Sequence, residues 1–110
     1  MILPGAEHAF IDAAKLRDYL LSREHPVGRF KAAFFERLGY SQPDWIRLQD
    51  DLLGLCRSGN ALDGQASPFG HKYEVRGTLN GPSGRSAEVV TVWVVLARGD
   101  VPRFVTAYPG

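Results

Sequence analysis

The spacing of apolar residues changes once along this chain, near residues 58–70, and this change constrains the fold more than any other feature. Before it, apolar residues recur every three or four positions, which is the period of an amphipathic helix. After it, apolar and polar residues alternate or β-branched residues form runs, which is typical of strands. A chain of 110 residues has room for one core. We therefore predict a single α+β domain over 1–110, with a helical part over about 11–58 and a sheet part over about 69–109.

Three segments before the change predict helices, each with a residue that favours starting or stopping one. Their predicted bounds are 13–22 after an Asp12 cap, about 28–38 before Gly39, and Ser41 or Gln42 to Gly59. In the second helix, Phe30, Phe34 and Leu38 recur at intervals of four residues, which is a helical spacing. The third helix has Pro43 in its first turn, where the missing N–H of proline costs nothing.

Strand patterns follow the change of period, and the predicted strands are 71–79, 88–97 and 102–109. The second of them is the most apolar and is expected at the centre of the sheet, whereas the prolines flanking the third suit an edge. Residues 58–70 are predicted to be a loop, and Arg98-Gly99-Asp100 a second tight connection. A short strand near Phe10 would add a fourth. The predicted architecture is three N-terminal helices packed on a C-terminal antiparallel β-meander of three to four strands.

The sequence lacks the signatures of several functional classes. It has neither a G-x-x-x-x-G-K-[ST] loop nor a G-x-G-x-x-G loop, so no nucleotide cofactor is expected. His8, His25 and His71 have no spacing that suits a zinc centre, and no metal is expected. Cys56 is the single cysteine and lies among leucines, which predicts a buried thiol rather than a nucleophile. Without a membrane span or signal peptide, we expect a cytoplasmic protein or one module of a larger secreted protein.

The loop around His25 is the first candidate site. Pro26 forces the residue before it into an extended conformation, and Gly28 permits close approach of the backbone. A histidine on such a loop titrates near neutral pH, as general acid or base catalysis requires. Lys31 follows in the first turn of the second helix, where a lysine opposes the helix dipole and therefore needs another reason to be present. An exposed histidine and a surface lysine without a role fit the same pattern.

Polar residues inside the predicted strands give a second candidate region. Thr106 and Tyr108 share one face of the last strand, and strict alternation puts Arg103 on the other face unless a bulge re-aims it. Lys72 and Arg76 share the polar face of the first predicted strand. An open antiparallel face that carries cations is a common platform for single-stranded RNA. A solvated face without a ligand fits the same residues.

The formal net charge of +1 conceals an uneven distribution. Five cations lie within residues 15–31, which favours a positive patch, although a solvated helix face is the alternative. These cations are Lys15, Arg17, Arg23, Arg29 and Lys31. The third predicted helix offsets them with Asp44, Asp50 and Asp51. The near-neutral net charge argues against non-specific binding of long nucleic acids. It is compatible with a phosphate site confined to one part of the surface.

Four stretches of the chain carry a resemblance to a known group of proteins. They are KLRDYLL at 15–21, HPVGRFKA at 25–32, TVW at 91–93 and PRFVTAYP at 102–109. Together they resemble a bacterial domain-of-unknown-function family of small toxin-like domains, whose members look like toxins of toxin–antitoxin or contact-delivered systems. The order of helices and sheet is similar to that of the barnase, colicin D and RelE group of ribonucleases.

The resemblance implies metal-independent cleavage of RNA, in which a ribose 2′-hydroxyl attacks its own phosphate and leaves a cyclic phosphate. It implies His25 as proton acceptor or donor, Lys31 as a cation on the phosphate and Thr106 as a hydroxyl that holds the phosphate. The residues implied for phosphate or RNA binding are Lys15, Arg29, Lys72, Arg76, Arg103 and Tyr108. The implied partners are a tRNA or mRNA substrate and a small acidic antitoxin or immunity protein. A non-catalytic interaction module that pairs through the edge strand 102–109 is the alternative.

Overall fold

The computed structural model describes residues 1–68, 70–96 and 101–110, and it has three helices followed by a four-stranded sheet. The elements are a 3₁₀ turn (Ala6–His8), α1 (Ala13–Lys15), a π-helical segment (Leu16–Leu20), α2 (Arg29–Arg37), α3 (Trp45–Ser58), β1 (Asn60–Ser67), β2 (Gly70–Asn80), β3 (Ser86–Leu96) and β4 (Arg103–Pro109). The strands pair antiparallel in the order β1-β2-β3-β4. The predicted α+β architecture is confirmed. The tight connection predicted at 98–100 lies outside the described residues.

The first predicted helix changes its geometry after one turn. The Asp12 carboxylate caps α1 as predicted, because its Oδ1 accepts a hydrogen bond from the Ala14 N–H at 3.0 Å. The chain then widens into the π-helical segment, where the Leu21 N–H bonds to the Leu16 carbonyl five residues earlier at 2.9 Å. Turns of this kind occur frequently at functional sites. This one carries Tyr19.

Helix α2 lies close to its predicted bounds, and the three residues at intervals of four differ in burial. Ala32, Phe35 and Leu38 are buried, whereas Phe30 is 73% exposed. The spacing of Phe30, Phe34 and Leu38 therefore indicates the helix but not its buried face. Adjacent phenylalanines at positions 34 and 35 make the helical register ambiguous in the sequence, and the core takes Phe35 as its fully buried member.

Helix α3 begins later than predicted. The Asp44 N–H donates to the Ser41 carbonyl in a turn, so Pro43 precedes the helix instead of starting it. α3 packs on β2 where Gly77 leaves room, since a Cβ at Gly77 would lie 3.0 Å from the Leu55 Cγ. At 14 residues α3 is the longest helix of the described ranges, and none of the helices there has the length and hydropathy of a membrane span.

Strand β1 occupies most of the segment that was predicted to be a loop over 58–70, so that prediction is wrong and the sheet begins at Asn60. β1 pairs antiparallel with β2 and has a register shift between Asp63 and Ala66. Its sequence NALDGQAS has no apolar alternation. Main-chain hydrogen bonds hold an edge strand of this kind, and they do not require a side-chain pattern.

The first residues of the chain contact both outer strands of the sheet. The Met1 carbonyl accepts a hydrogen bond from the Ala61 N–H of β1 at 2.8 Å. Phe10 forms a parallel bridge with β4, because its N–H donates to the Pro102 carbonyl at 2.8 Å and its carbonyl accepts from the Phe104 N–H at 2.9 Å. The short additional strand near Phe10 is thus present as a single bridge.

A register shift between β3 and β4 decides which residues share a face. Val92 pairs with Thr106, whereas the next residue, Trp93, pairs with Phe104, so β4 has one extra residue at this point. The bulge brings Arg103 onto the face of Thr106. Strict alternation would have put these two side chains on opposite faces of the sheet. The bulge that could bring Arg103 onto the face of Thr106 is therefore present.

One polar side chain sits fully inside the core. Thr91 on β3 is 0% exposed, and its Oγ1 donates a hydrogen bond to the Val75 carbonyl at 2.9 Å. The same oxygen accepts a hydrogen bond from the Trp93 Nε1 at 2.8 Å. Thr91 therefore satisfies the indole of the largest buried side chain and ties it to the neighbouring strand.

Candidate active site

Side chains from three separate elements meet at one point. The Lys31 Nζ donates hydrogen bonds to the Tyr19 Oη at 2.7 Å and to the Thr106 Oγ1 at 2.8 Å. The two oxygens lie 3.1 Å apart, so one hydroxyl donates to the other. All three side chains are half-buried. We call this arrangement the Lys31–Tyr19–Thr106 triangle, and it presents an ammonium group and two hydroxyls together.

Local folding brings the triangle together. Tyr19 comes from the π-helical segment, Lys31 from the first turn of α2 and Thr106 from β4. Gly28 permits the approach of the first two elements, because a Cβ at this position would collide with the Tyr19 carbonyl oxygen. The close backbone approach predicted at Gly28 is confirmed, and its partner is the backbone of Tyr19.

His25 lies beside the triangle, with its ring edge-on to the Tyr19 ring at a centroid distance of 5.0 Å. Its Nδ1 accepts hydrogen bonds from the backbone N–H groups of Val27 and Gly28, both at 3.0 Å. The Ser22 Oγ holds the start of the loop by accepting the His25 N–H at 3.2 Å. A neutral imidazole that accepts at Nδ1 carries its proton on Nε2. His25 therefore offers a hydrogen-bond donor at Nε2.

A cavity of about 650 Å³ opens beside the triangle. Tyr19, His25 and Thr106 line it, and Lys31 contacts two of these through its hydrogen bonds. The other lining residues are Asp12, Ala14, Lys15, Asp18, Val27 and Val105. Binding sites for small organic ligands commonly have volumes in this range.

Two lysines set the electrostatics of the Tyr19 phenol. Their Nζ atoms lie 5.2 Å (Lys31) and 5.9 Å (Lys15) from the centroid of its ring. Burial raises the pKa of Tyr19, but hydrogen bonds from Lys31 and Thr106 and the positive charges of both lysines outweigh burial, so the pKa lies below its usual value. The site therefore stabilises the phenolate form of Tyr19.

Both carboxylates that line the cavity are engaged with neighbours. Asp12 caps α1 through the Ala14 N–H. Asp18 accepts two hydrogen bonds from the Arg17 guanidinium, each at 3.1 Å, and these lower the pKa of Asp18. Among the described residues, no three His, Cys, Asp or Glu side chains are grouped to bind one metal ion.

The sheet face opposite α3 carries most of the other predicted residues. Paired residues of neighbouring strands share a face, and the pairing defines three rows across β2, β3 and β4. The rows are Lys72–Val94–Arg103, Glu74–Val92–Thr106 and Arg76–Val90–Tyr108. We call this surface the open face. Thr106 belongs both to the open face and to the triangle, so the cavity and the open face are continuous at that residue.

The structure brings most of the predicted site residues together and leaves one apart. His25, Lys31 and Thr106 are neighbours, and Lys15 lines the same cavity. Lys72, Arg76, Arg103 and Tyr108 lie on the open face. Arg29 is not among the cavity lining residues; its guanidinium lies over the exposed Phe30 ring at 4.9 Å.

Tyr19 was not among the residues that the sequence predicted for the site. The phenol is half-buried and its hydroxyl is the meeting point of the triangle. A signal was present: Lys15 precedes Tyr19 by four residues, and side chains at this spacing are neighbours on a helix. Ser22 was also missed as the residue that shapes the His25 loop.

Fold and site define a small α+β domain in which a cavity beside the Lys31–Tyr19–Thr106 triangle adjoins an open, cationic sheet face. The chain belongs to the family described as a domain of unknown function, DUF6883, which matches residues 2–110. This bears out the resemblance to a domain-of-unknown-function family, while the relation to the barnase, colicin D and RelE ribonucleases stays a prediction.

One solved structure is similar in fold. It is a chain from a contact-dependent growth inhibition toxin–immunity protein complex of Klebsiella pneumoniae 342, with a TM-score of 0.73 and 24% sequence identity. The similarity covers 91% of this chain and 98% of that chain. At this identity the comparison establishes a shared fold. No curated protein matches the chain significantly.

Proposed function

We propose that this domain is a bacterial toxin, of a toxin–antitoxin or contact-delivered system, that cleaves RNA without a metal ion. The observation that carries the proposal is the Lys31–Tyr19–Thr106 triangle beside His25, at the margin of the open face. The fold shared with a chain of a toxin–immunity protein complex supports the toxin assignment. In the proposed reaction a ribose 2′-hydroxyl attacks the adjacent phosphate and leaves a 2′,3′-cyclic phosphate and a 5′-hydroxyl.

The triangle and His25 offer donors for the negative charge that develops on the phosphate. The Lys31 ammonium would bind an oxygen of the phosphate ester, and charge-assisted hydrogen bonds of this kind strengthen as the pentavalent transition state forms. The Thr106 hydroxyl would hold the same phosphate from β4. His25 would donate a hydrogen bond to the phosphate through Nε2, and this role is favoured over proton acceptance because its Nδ1 already accepts two backbone N–H groups.

The open face would hold the RNA strand on either side of the cleaved phosphate. Lys72, Arg76 and Arg103 supply positive charge for phosphates, and the half-buried Tyr108 offers a ring on which a base stacks. Lys15, at the cavity, would bind the next phosphate. Arg29 stands outside the cavity and would contact RNA further along the strand.

We propose a small acidic antitoxin or immunity protein as the second partner. A partner that blocks cleavage must cover the triangle, and a negative surface complements the cations of the cavity and the open face. The similar chain comes from a complex of a toxin with its immunity protein, which supports this pairing. The +1 net charge agrees with a focused site in which an acidic partner displaces one RNA segment.

Inducible expression in bacteria tests the proposal directly. We expect the wild type to arrest growth and to produce RNA fragments that end in a 2′,3′-cyclic phosphate. Lys31→Ala and His25→Ala should abolish both effects. Arg37→Ala is the matched control, because Arg37 is an exposed cation on the same helix as Lys31 and lies outside the cavity lining.

The purified protein gives a second readout without the cell. Cleavage of total tRNA should persist in the presence of a metal chelator. A wild type that neither arrests growth nor cleaves RNA would overturn the proposal in favour of a non-catalytic interaction module. Protection of cells against a co-expressed toxin would point to an immunity role for this chain.

A further inference from the structure

We propose that Tyr19 is the proton acceptor for the attacking 2′-hydroxyl and that Lys31 resets it after each turnover. This inference rests on the RNA cleavage proposed above. The Tyr19 Oη lies at the cavity and within hydrogen-bond distance of both Lys31 and Thr106. It is therefore placed to contact the same phosphodiester unit that these two side chains would hold.

The other groups around the cavity are poor acceptors in this geometry. The lone pair of the His25 Nδ1 is engaged by two backbone N–H groups, and Nε2 carries the proton. The Lys31 ammonium has no lone pair, and the Thr106 aliphatic hydroxyl does not ionise near neutral pH. These three groups act as donors, so the acceptor comes from elsewhere.

The carboxylates at the cavity and the remaining cation complete the set of charged groups that face Tyr19. Asp12 is engaged by the Ala14 N–H, and Asp18 by the Arg17 guanidinium. An ionised carboxylate already held by a guanidinium is a weakened base. Lys15, from α1, is a cation and faces the Tyr19 ring. Tyr19 is thus the titratable group whose surroundings favour its basic form.

The positive surroundings of Tyr19 supply the driving force for ionisation. Lys31 and Lys15 both lie over its ring, and Lys31 and Thr106 reach its oxygen. Although burial alone would raise the pKa of Tyr19, these neighbours bring it below the usual value. A base whose pKa approaches the working pH combines a sufficient ionised fraction with sufficient basicity.

Over one turnover, the protons taken up and released by Tyr19 and Lys31 balance. The phenolate of Tyr19 takes the proton of the 2′-hydroxyl while the bond between O2′ and phosphorus forms. The bond between phosphorus and O5′ breaks, and the Lys31 ammonium gives a proton to the leaving O5′. Tyr19 then passes its proton across the 2.7 Å hydrogen bond to the neutral Lys31 amine. The products are a cyclic phosphate and a 5′-hydroxyl, and no outside reactant is consumed.

Replacement of Tyr19 by 3,5-difluorotyrosine is the sharpest test, because it keeps the side chain in place and makes the phenol more acidic. The pH–rate profile of RNA cleavage should keep its shape while its acidic limb moves to lower pH. Tyr19→Phe should lower kcat by about 100-fold or more, which is the contribution typical of a general base. Tyr73→Phe is the matched control and should leave both rate and profile unchanged, since Tyr73 stacks on His71 away from the cavity.

A substrate with sulfur in place of O5′ separates the acceptor from the donor. The thiolate leaves without a proton, so the loss in Tyr19→Phe should persist if Tyr19 is the acceptor. Recovery of the rate in Tyr19→Phe with this substrate would overturn the inference and make Tyr19 the donor. An unshifted acidic limb in the difluorotyrosine protein would also overturn it. Both results presuppose an active wild type, whereas an inactive wild type refutes the proposed function itself.

Discussion

The ammonium of Lys31 on α2 donates a hydrogen bond of 2.8 Å to the hydroxyl of Thr106 on β4, although the two residues are 75 positions apart in the sequence. This bond ties a helix to the strand that carries the open face. The same ammonium reaches Tyr19. A half-buried lysine that holds two hydroxyls is poised for a third, anionic partner, because an ammonium has three donors.

Thr106 variants should separate the hydroxyl from the shape of its side chain. Thr106→Val keeps the β-branched form and removes the bond to Lys31, so we expect the rate of RNA cleavage to fall by about 100-fold. Thr106→Ser keeps the hydroxyl and should retain most of the activity. Single-turnover cleavage of tRNA by the two purified variants gives the comparison. Equal cleavage rates for Thr106→Val and Thr106→Ser would show that the Thr106 hydroxyl has no part in the reaction.

Two substitutions of His25 should separate the roles of its two ring nitrogens. In His25→Asn the side-chain oxygen can accept the N–H groups of Val27 and Gly28 in place of Nδ1, but the Nε2 donor is lost. We therefore expect a stable, inactive protein. His25→Gln retains a donor near the position of Nε2 and loses the acceptor, which should loosen the loop. Thermal unfolding and cleavage rate, measured on both variants, should move in opposite directions between them.

Charge on the open face should govern the salt dependence of RNA binding. Removing one cation, as in Lys72→Ala or Arg103→Ala, should weaken binding of a single-stranded RNA and reduce the slope of log K against log salt by about 0.7. Arg85→Ala is the control, because Arg85 is exposed in the turn between β2 and β3. Fluorescence anisotropy over a series of salt concentrations measures the slope. A control slope that falls as far as the Lys72 slope would exclude a specific role for the open face.

The hydroxyl of Thr91 should matter for stability alone. Thr91→Val leaves the Trp93 Nε1 and the Val75 carbonyl without their buried partner, and we expect a loss of about 1–3 kcal/mol in the free energy of unfolding. Thr91→Ser keeps the hydroxyl and should lose less than Thr91→Val. Urea unfolding followed by tryptophan fluorescence provides the values. If Thr91→Val has the same free energy of unfolding as the wild type, these two hydrogen bonds make no net contribution to stability.

Cys56 should make the protein less stable at alkaline pH. Burial raises the pKa of its thiol to about 12 from the ordinary value of 9.0, partly offset by the charge of Arg57. The native thiol stays protonated where the unfolded thiol ionises, so its stabilising contribution is complete below pH 9.0 and is lost as the pH rises toward about 12. The slope approaches about 1.4 kcal/mol per pH unit.

Cys56→Ala isolates this effect. The variant loses packing at every pH, but its deficit relative to the wild type should shrink as the pH rises above 9.0. Urea unfolding at a neutral and an alkaline pH gives the two differences. A deficit independent of pH would mean that the native thiol ionises as readily as the unfolded one.

The sequence predicts the order and type of elements well where periodicity is strong. Strands β2 and β3 and helix α2 lie close to their predicted bounds. β1 was missed because an edge strand held by main-chain bonds needs no alternation. The buried face of α2 could not be predicted, because the sequence does not distinguish which of its phenylalanines faces the core.

The site could be predicted only in part, for reasons that lie in tertiary structure. His25 and Lys31 are close in sequence and were predicted as one candidate site. Thr106 was singled out separately on the last strand, and only the resemblance assigned it to the same site. Tyr19 was not foreseen because a π-helical turn, which no sequence period reveals, carries it into the site. Arg103 depended on a bulge whose existence only the pairing of β3 with β4 decides.

The bridge between Phe10 and β4 limits what else this strand can bind. Phe10 already takes the main-chain hydrogen bonds offered around Pro102 and Phe104. A foreign strand, whether from a partner or from a second copy, must therefore displace Phe10 or pair only with the later part of β4. The chain thus shields the beginning of β4 against sheet-to-sheet aggregation. Thr106 lies in that later part of β4, so a strand that paired there would approach the site itself.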